Sequence, residues 1–360
     1  MASVLNYFLG GIGPTGYVGF FDPLVDNDSP LRVYLLKGGP GCGKSSLMRR
    51  MAARALAAGH DIEQIRCAGD PDSLDGVICP ALGFVMLDGT APHALEPAIP
   101  VAKQAVLSLY HCIDSRGVTA ELGKLRPLFD QNAQYAARAR RFITAAGSLH
   151  YDITRTAAAA LNVQKATRYA GNLAAKWFPR GAPGQGHEQL RFTCAFTPRG
   201  MVDHAAANYA GCRSIHIFED RFGAAAPLML DTIRRHAMDA GLDIITARSP
   251  LAAYDKIDSV YVPALSAVFA HSGYLAPLTL PGAHLVHDRR FYDETLLAEC
   301  QKRLGFCKRA ALELLAEGCA LLAEAKKVHD QIEAVYTANF DFEQLATLEK
   351  ECCVELGLEY

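Results

Sequence analysis

The chain of 360 residues lacks several features that would place it in a special class of protein. It has no run of about 18 apolar residues and so predicts no transmembrane helix. Its first residues lack the basic segment and the long apolar stretch of a secretory signal peptide. Its 30 Gly and 18 Pro are ordinary shares, which excludes a collagen-like or low-complexity chain. With 50% hydrophobic residues and a net charge of -2, the composition also excludes a disordered chain.

The eleven cysteines lack CxxC spacing, and their odd number does not suit a disulfide framework. Reduced thiols in a large chain are typical of the cytoplasm. The near-zero net charge disfavours a protein that binds nucleic acid over its whole surface. The sequence therefore predicts a cytoplasmic protein without a membrane partner. At roughly 150 residues per domain, the length predicts two domains, each with its own core.

Three blocks of the chain recur at a nearly constant offset of 182 to 184 residues, which chance matches would not maintain. The paired segments are 8–18 with 192–202, 58–66 with 240–248, and 75–82 with 258–265. Such a repeat indicates two copies of one unit. We predict one copy in residues 1–185 and a second in residues 186–360, joined near residues 179–186.

Each copy predicts strands that alternate with a helix. The predicted strands are 31–36, 61–67 and 84–87 in the first copy and 214–218, 243–247 and 267–270 in the second. A helix is predicted over 44–58 and over 227–240. This order is typical of an α/β fold with a mostly parallel sheet in each copy.

Both copies then turn helical, over about 101–180 and about 291–360. A heptad pattern in the second region predicts long helices packed on the α/β cores or projecting from them. Its apolar seam is Cys300, Leu304, Cys307, Ala311, Leu314, Gly318, Leu321, Ala325, Val328, Ile332 and Val335. The weaker seam of the first region is Leu122, Leu125, Phe129, Ala136, Ile143, Ile153 and Ala157.

The clearest chemical signal is a glycine-rich loop between a predicted strand and a predicted helix. Residues 38–45 fit G-x-x-x-x-G-K-[ST] at every position. Glycines let backbone N–H groups converge on a phosphate, and the helix N-terminus adds partial positive charge. We expect Lys44 to reach the β- and γ-phosphates and the Ser45 hydroxyl to bind Mg²⁺. The predicted nucleotide-binding residues are Gly38, Gly39, Pro40, Gly41, Cys42, Gly43, Lys44, Ser45 and Ser46.

ATP is the default nucleotide, because the sequence lacks a guanine-recognition motif of the N/TKxD type. A carboxylate at the end of a neighbouring strand would complete the Mg²⁺ site. Asp88 ends the apolar run 84–87 and suits this role, and the alternative is a simple Asp-Gly turn.

Many ATPases place Glu directly after the metal-binding Asp, whereas this chain has Gly89. His93, in the following loop, and Asp70, in the loop after the second strand, are candidates for the catalytic role. Asp72 and Asp75 share that loop, and all three aspartates are also typical of turns. The candidate catalytic residues are Lys44, Asp88, His93 and Asp70, and the candidate metal ligands are Ser45 and Asp88.

The second copy lacks the phosphate-binding residues. Residues 218–227 contain one glycine and neither Lys nor Ser, and Glu219 and Asp220 would repel a phosphate. This predicts a structural or regulatory second copy.

The tandem repeat, the segment KGGPGCGKSSLMRRMA and the blocks DPDSLDGV and LDGTAPH together resemble a family. The family comprises bacterial tandem-P-loop proteins described as ATPases or as related to nucleotide kinases. The resemblance covers nearly the whole chain and implies ATP binding and hydrolysis, but no particular substrate. Many members keep a second phosphate loop, and this chain departs from them there.

The low net charge conceals two helical regions of opposite sign. Residues 101–180 hold 12 Lys+Arg and 4 Asp+Glu, whereas residues 291–360 hold 7 and 14. Opposite potentials favour pairing of the two regions, within one chain or in a homodimer. Two independently solvated regions are the alternative. Arg138, Arg140 and Arg141 are candidates for binding phosphate or nucleic acid, or for an arginine finger.

Three functions fit these observations. The first is a Mg-dependent ATPase that hydrolyses ATP slowly at the first copy and moves its helices with nucleotide state. The second is a kinase that phosphorylates a small molecule held near residues 70–75. The third is a nucleotide sensor without meaningful turnover.

Overall fold

A computed structural model describes residues 2–26, 30–178 and 186–359. The first half contains β1 (Val4–Tyr7), β2 (Gly10–Gly13), β3 (Gly16–Gly19), α1 (Asp22–Val25), β4 (Arg32–Lys37), α2 (Lys44–Ala57), β5 (Ile62–Arg66), β6 (Leu74–Cys79), β7 (Phe84–Asp88), β8 (Gln104–Ser108), α3 (Ser115–Ala120), α4 (Leu122–Ala158) and α5 (Val163–Trp177). The second half contains β9 (Glu188–Arg191), β10 (Cys194–Thr197), β11 (Gly200–Asp203), α6 (Ala205–Tyr209), β12 (Ser214–Glu219), α7 (Ala225–Asp239), β13 (Ile244–Arg248), β14 (Ile257–Val262), β15 (Ala267–Ser272), β16 (His284–His287), α8 (Glu294–Ala338) and α9 (Phe342–Leu356). The predicted junction near residues 179–186 lies outside the described residues, apart from Gly186.

The described strands form two six-stranded sheets and two short hairpins. The first sheet has the order β1-β5-β6-β7-β4-β8, and the second has the order β9-β13-β14-β15-β12-β16. Within each sheet all neighbours are parallel except around β6 and β14, which run antiparallel to both of theirs. The predicted α/β class with mostly parallel sheets is therefore confirmed.

Sequence reasoning missed β6 and β14, the antiparallel strands at the centre of each sheet. Residues 74–79 are all buried, so β6 shows none of the polar and apolar alternation that marks a half-exposed strand. Gly76 lies where a Cβ would meet the Leu87 side chain at 2.7 Å, which makes this strand fit closely against β7.

The helices are exchanged between the two halves. Helix α5 packs on α7 and completes the core of the second sheet, whereas α9 packs on α2 and completes the core of the first. Each of these two cores therefore contains side chains from both halves of the chain.

Among the described elements, the most extensive packing contact is that of α4 of the first half with α8 of the second. The predicted seam of α8 is buried, except for Cys300 and Leu314, which are half-buried. Gly318 lets the helices approach closely, since a Cβ there would lie 3.1 Å from Ile143. In α4 the predicted seam is wrong at Leu122 and Phe129, which are exposed, whereas the predicted Leu125 is buried against α8.

The packing of α4 on α8 is apolar rather than electrostatic. The ion pair that joins them links Arg303 of the acidic region to Asp152 of the basic region, the reverse of the polarity that the segment charges predict. Arg138, Arg140 and Arg141 are exposed on α4. Apolar burial, not charge, therefore accounts for this contact.

The two halves also meet through backbone hydrogen bonds and a buried ion pair. Phe8 and Phe192 exchange two backbone hydrogen bonds of 2.8 Å. Beside them, Arg191 forms a buried ion pair with Glu63 at 2.9 Å. All eleven cysteines are free thiols. Among the described helices, none combines the length and the apolar character needed to cross a membrane.

Candidate functional site

The glycine-rich loop connects the end of β4 to the start of α2. Gly41 and Gly43 have φ values of 68° and 73°, which lie in the left-handed region. One side of the loop is covered by the end of α8: a Cβ on Gly41 would lie 2.5 Å from Thr337 Oγ1 and 2.8 Å from the Glu333 carbonyl oxygen. The Thr337 hydroxyl also donates to the Gly41 carbonyl at 3.2 Å. The loop therefore depends on glycine both for its conformation and for the approach of a helix.

The loop presents unused backbone donors. Among the described residues, no hydrogen bond has the backbone N–H of Gly41, Cys42 or Gly43 as its donor. These groups lie directly before the first turn of the 14-residue helix α2, where the helix dipole adds partial positive charge.

Lys44 is held over this loop. Its ammonium donates to the carbonyl oxygens of Gly38 and Gly39 at 2.9 and 2.8 Å. It lies 3.6 Å from the Asp88 carboxylate, and the Lys44 side chain is 11% exposed. The predicted pair of Lys44 and Asp88 is thus brought together, because β4 and β7 are adjacent strands that end at the same edge of the sheet.

Ser45 faces the loop that precedes β6. Its Oγ accepts hydrogen bonds from the backbone N–H of Leu74 at 3.0 Å and from Arg49 at 3.1 Å. Arg49 also donates to the Asp72 carbonyl at 2.6 Å. The hydroxyl predicted to bind Mg²⁺ therefore contacts Leu74, the residue directly before Asp75.

Asp88, Asp75 and His93 form a group whose potential ligand atoms all lie within 4.8 Å of one another. Asp88 accepts from the backbone N–H of Thr90 at 2.9 Å and from its hydroxyl at 2.6 Å. Burial, and to a smaller degree the nearby charge of Asp88, raises the pKa of Asp75 to about 7. Two carboxylates this close share a site that a cation would stabilise.

His93 lies against the aromatic residues of the first hairpin. Its ring stacks on Phe21 at a centroid distance of 4.6 Å, and its Nδ1 lies 3.2 Å from the Tyr17 hydroxyl. Its Nε2 is buried and has no hydrogen-bond partner in the described part of the chain. Burial lowers the pKa of His93, which favours the neutral imidazole.

Asp70 is not part of this group. Its carboxylate accepts from the Ser73 hydroxyl at 2.8 Å and lies 3.5 Å from Lys326 of α8. The adjacent Asp72 pairs with Arg199, which lies in the turn between β10 and β11 of the second half. The predicted catalytic residue Asp70 therefore sits at the contact between this loop and the second half.

Sequence reasoning did not distinguish Asp75 from its two neighbours. One signal was available: Asp75 alone lies inside the segment 74–79, which is otherwise apolar apart from Gly76. A carboxylate in a fully buried strand needs a partner, and it is therefore a better candidate than an aspartate in a turn.

The corresponding loop of the second half carries its own carboxylate. Asp220 is 1% exposed and accepts from the backbone N–H groups of Ala225 and Ala226 at 2.7 and 2.8 Å, and from that of Phe222 at 3.1 Å. The N-terminus of α7 is thus occupied by a residue of the chain. The sequence predicted repulsion of phosphate by Asp220, and the structure shows that its carboxylate takes the donors themselves.

Compared with protein-family models, curated proteins and solved structures, the chain matches none.

Proposed function

We propose that this protein is a Mg-dependent P-loop ATPase that binds ATP at residues 38–46 and hydrolyses it slowly. We further propose that its two halves are copies of one unit and that the second copy has lost the nucleotide site. The observation that carries the proposal is the set of unused N–H donors at Gly41, Cys42 and Gly43, which lies beside Lys44 and Asp88 at the start of α2. An anionic phosphate is the ligand that such donors and a lysine bind best.

The second loop supports this interpretation by contrast. Each loop lies between the strand next to the sheet edge, β4 or β12, and a helix, but in the second loop Asp220 accepts from the backbone donors. The first two residues of the helix are Lys44 and Ser45 in α2 and Ala225 and Ala226 in α7. The two identical strand orders support descent of both halves from a single unit.

The side chains next to the loop suit a hydrated Mg²⁺ ion. Ser45, Asp88 and Asp75 offer the oxygen ligands that Mg²⁺ prefers. The bound Mg·ATP would supply the phosphoanhydride bond whose cleavage is catalysed. Neutral His93, with its buried Nε2 unpaired, could accept a hydrogen bond from water and orient it. This role would replace the Glu that is absent after Asp88.

A kinase is the second candidate, and one observation favours it. Arg49 and Arg199 both contact Asp72, so two guanidinium groups lie at the loop where an acceptor would bind, and Arg49 also donates to Ser45. Such a cluster suits an anionic acceptor. ADP formation that requires an added metabolite would favour the kinase, whereas tight binding without any turnover would favour a sensor.

Lys44→Ala tests the site. We expect a loss of Mg·ATP affinity of about 100-fold, since about 3 kcal/mol of charge-assisted hydrogen bonds to phosphate would be removed. Titration calorimetry with Mg·ATP measures this, and circular dichroism verifies that the fold is retained. Lys124→Ala, at an exposed lysine of α4, is the matched control and should bind normally. Unchanged affinity in Lys44→Ala would refute the assignment.

A further inference from the structure

A cavity lies where the two halves meet, and none of its lining residues belongs to the glycine-rich loop. It is bounded by the turn between β2 and β3, by α4, and by residues 250–256 between β13 and β14. Its volume is about 120 Å³, enough for several water molecules. Most of its walls are apolar, formed by residues such as Pro14, Val18, Leu251 and Ala253, and its mouth is flanked by Tyr151 and Tyr254.

One cationic side chain lines this cavity. The Lys256 ammonium lies 2.9 Å from His150 Nε2 and donates to the Thr154 hydroxyl. An ammonium has three N–H donors, so one of them has no partner among the described residues. Burial lowers the pKa of Lys256 to about 8, which leaves it mostly protonated at pH 7.

The partners of Lys256 are neutral. Burial lowers the pKa of His150 to about 3, so its imidazole stays uncharged and accepts through Nε2. Because Nε2 accepts from the Lys256 ammonium, the proton of the neutral ring lies on Nδ1, which donates to the Tyr274 hydroxyl at 2.8 Å. Neither His150 nor Thr154 balances the charge of Lys256.

The nearby carboxylates do not pair with Lys256 either. Asp220 is bound to backbone N–H groups of α7, and Asp258 lies 3.5 Å from His271. Asp255 also lines the cavity but is exposed. In the described part of the chain, no ion pair of 4 Å or less joins Lys256 to a carboxylate, although the charges of these three aspartates act on it from farther away and partly offset the effect of burial on its pKa. A half-buried ammonium without a contacting anion is energetically costly, and a ligand anion would offset that cost.

We infer that this cavity binds a small organic acid, whose carboxylate pairs with Lys256 while its short apolar body fills the space between the two halves. Apolar walls with one cationic group are typical of such sites. The volume restricts the ligand to a few non-hydrogen atoms beyond the carboxylate. The site is independent of the glycine-rich loop, and it gives the second half a binding role although its own loop is occupied by Asp220.

Propionate is a suitable probe, and 1-propanol is its neutral counterpart of similar size. Titration calorimetry with the full-length protein should show saturable binding of propionate and none of 1-propanol. Lys256→Met removes the charge at similar volume, and Ala252→Leu fills the cavity while it keeps Lys256. Each substitution should weaken propionate binding at least tenfold. Lys302→Met, at an exposed lysine of α8, should bind like the unsubstituted protein.

Several results would overturn the inference. They are an absence of saturable propionate binding at 10 mM (roughly the weakest affinity expected of so small a ligand), equal binding of 1-propanol, or a Lys256→Met affinity within threefold of the original. Lys44→Ala should leave propionate binding unchanged. The organic-acid site and the proposed nucleotide site can therefore fail separately.

Discussion

At the scale of single residues, the glycine-rich loop is the part of the site that sequence reasoning located best. The motif is local: strand, loop and helix are continuous in the chain, so spacing alone places Lys44 beside the loop. The contact of Gly41 with α8 was not predictable, since Glu333 and Thr337 are almost 300 residues away in the sequence. The same holds for Asp75 and His93, which come together because His93 lies in the loop after β7 and β7 is the neighbour of β6, which carries Asp75.

Gly41 offers a test of that contact. Alanine there meets both a left-handed backbone and a clash with α8, so Gly41→Ala should lower the free energy of unfolding by about 2–3 kcal/mol and weaken Mg·ATP binding. Gly59, which follows α2 at its other end, has a φ of 87° and open space around it. Gly59→Ala should therefore cost only about 1 kcal/mol for the backbone strain. Denaturant unfolding measures both, and equal losses would show that α8 does not constrain the loop.

At the scale of elements, the N-termini of α2 and α7 differ in what accepts hydrogen bonds from their backbone N–H groups. Each helix follows the strand next to the sheet edge, β4 or β12, after a short loop. The first N–H groups of any helix lack intrahelical acceptors. Helix α2 leaves donors unused beside Lys44, whereas α7 receives the buried carboxylate of Asp220. The two loops therefore differ in whether a side chain of the protein itself accepts hydrogen bonds from the backbone N–H groups at the start of the helix.

Asp220 should consequently be important for stability. Asp220→Asn keeps the size but removes the charge from a buried acceptor of three backbone N–H groups, and we expect a loss of about 2–4 kcal/mol in the free energy of unfolding. Asp341 caps the N-terminus of α9 at the surface. Asp341→Asn is the control and should cost less than about 1 kcal/mol. A loss in Asp220→Asn no greater than in this control would contradict the interpretation.

At the scale of the whole molecule, the exchange of helices makes the two halves interdependent. The single tryptophan, Trp177, belongs to the first half but packs on Phe269 and His216 of the second sheet. Leu345 belongs to the second half but is buried against the first, where its side chain lies 2.5 Å from the Cβ position of Gly43. We therefore expect the halves to unfold together.

Leu345→Ala tests this coupling. Deleting a fully buried leucine should lower the free energy of unfolding by about 2–5 kcal/mol. If the halves are coupled, the midpoint of the Trp177 fluorescence transition should shift together with that of circular dichroism. Leu312→Ala, at an exposed leucine of α8, should leave both midpoints nearly unchanged. A Trp177 transition that stays in place in Leu345→Ala would show that the halves unfold independently.

The sequence by itself determined the α/β class, the strand-loop-helix motif and the apolar seam of α8, because each depends on residues close together in the chain. Only the tertiary structure decided where the helices pack. Apolar seams specify that a partner is needed but not which one. The opposite charges of the two regions did predict that they pair, but the contact of α4 with α8 is mainly apolar. The exchange of α5 and α9, the capture of the α7 N-terminus by Asp220 and the cavity at Lys256 all depend on contacts between distant segments. Such contacts are selected by shape and burial, which local patterns do not encode.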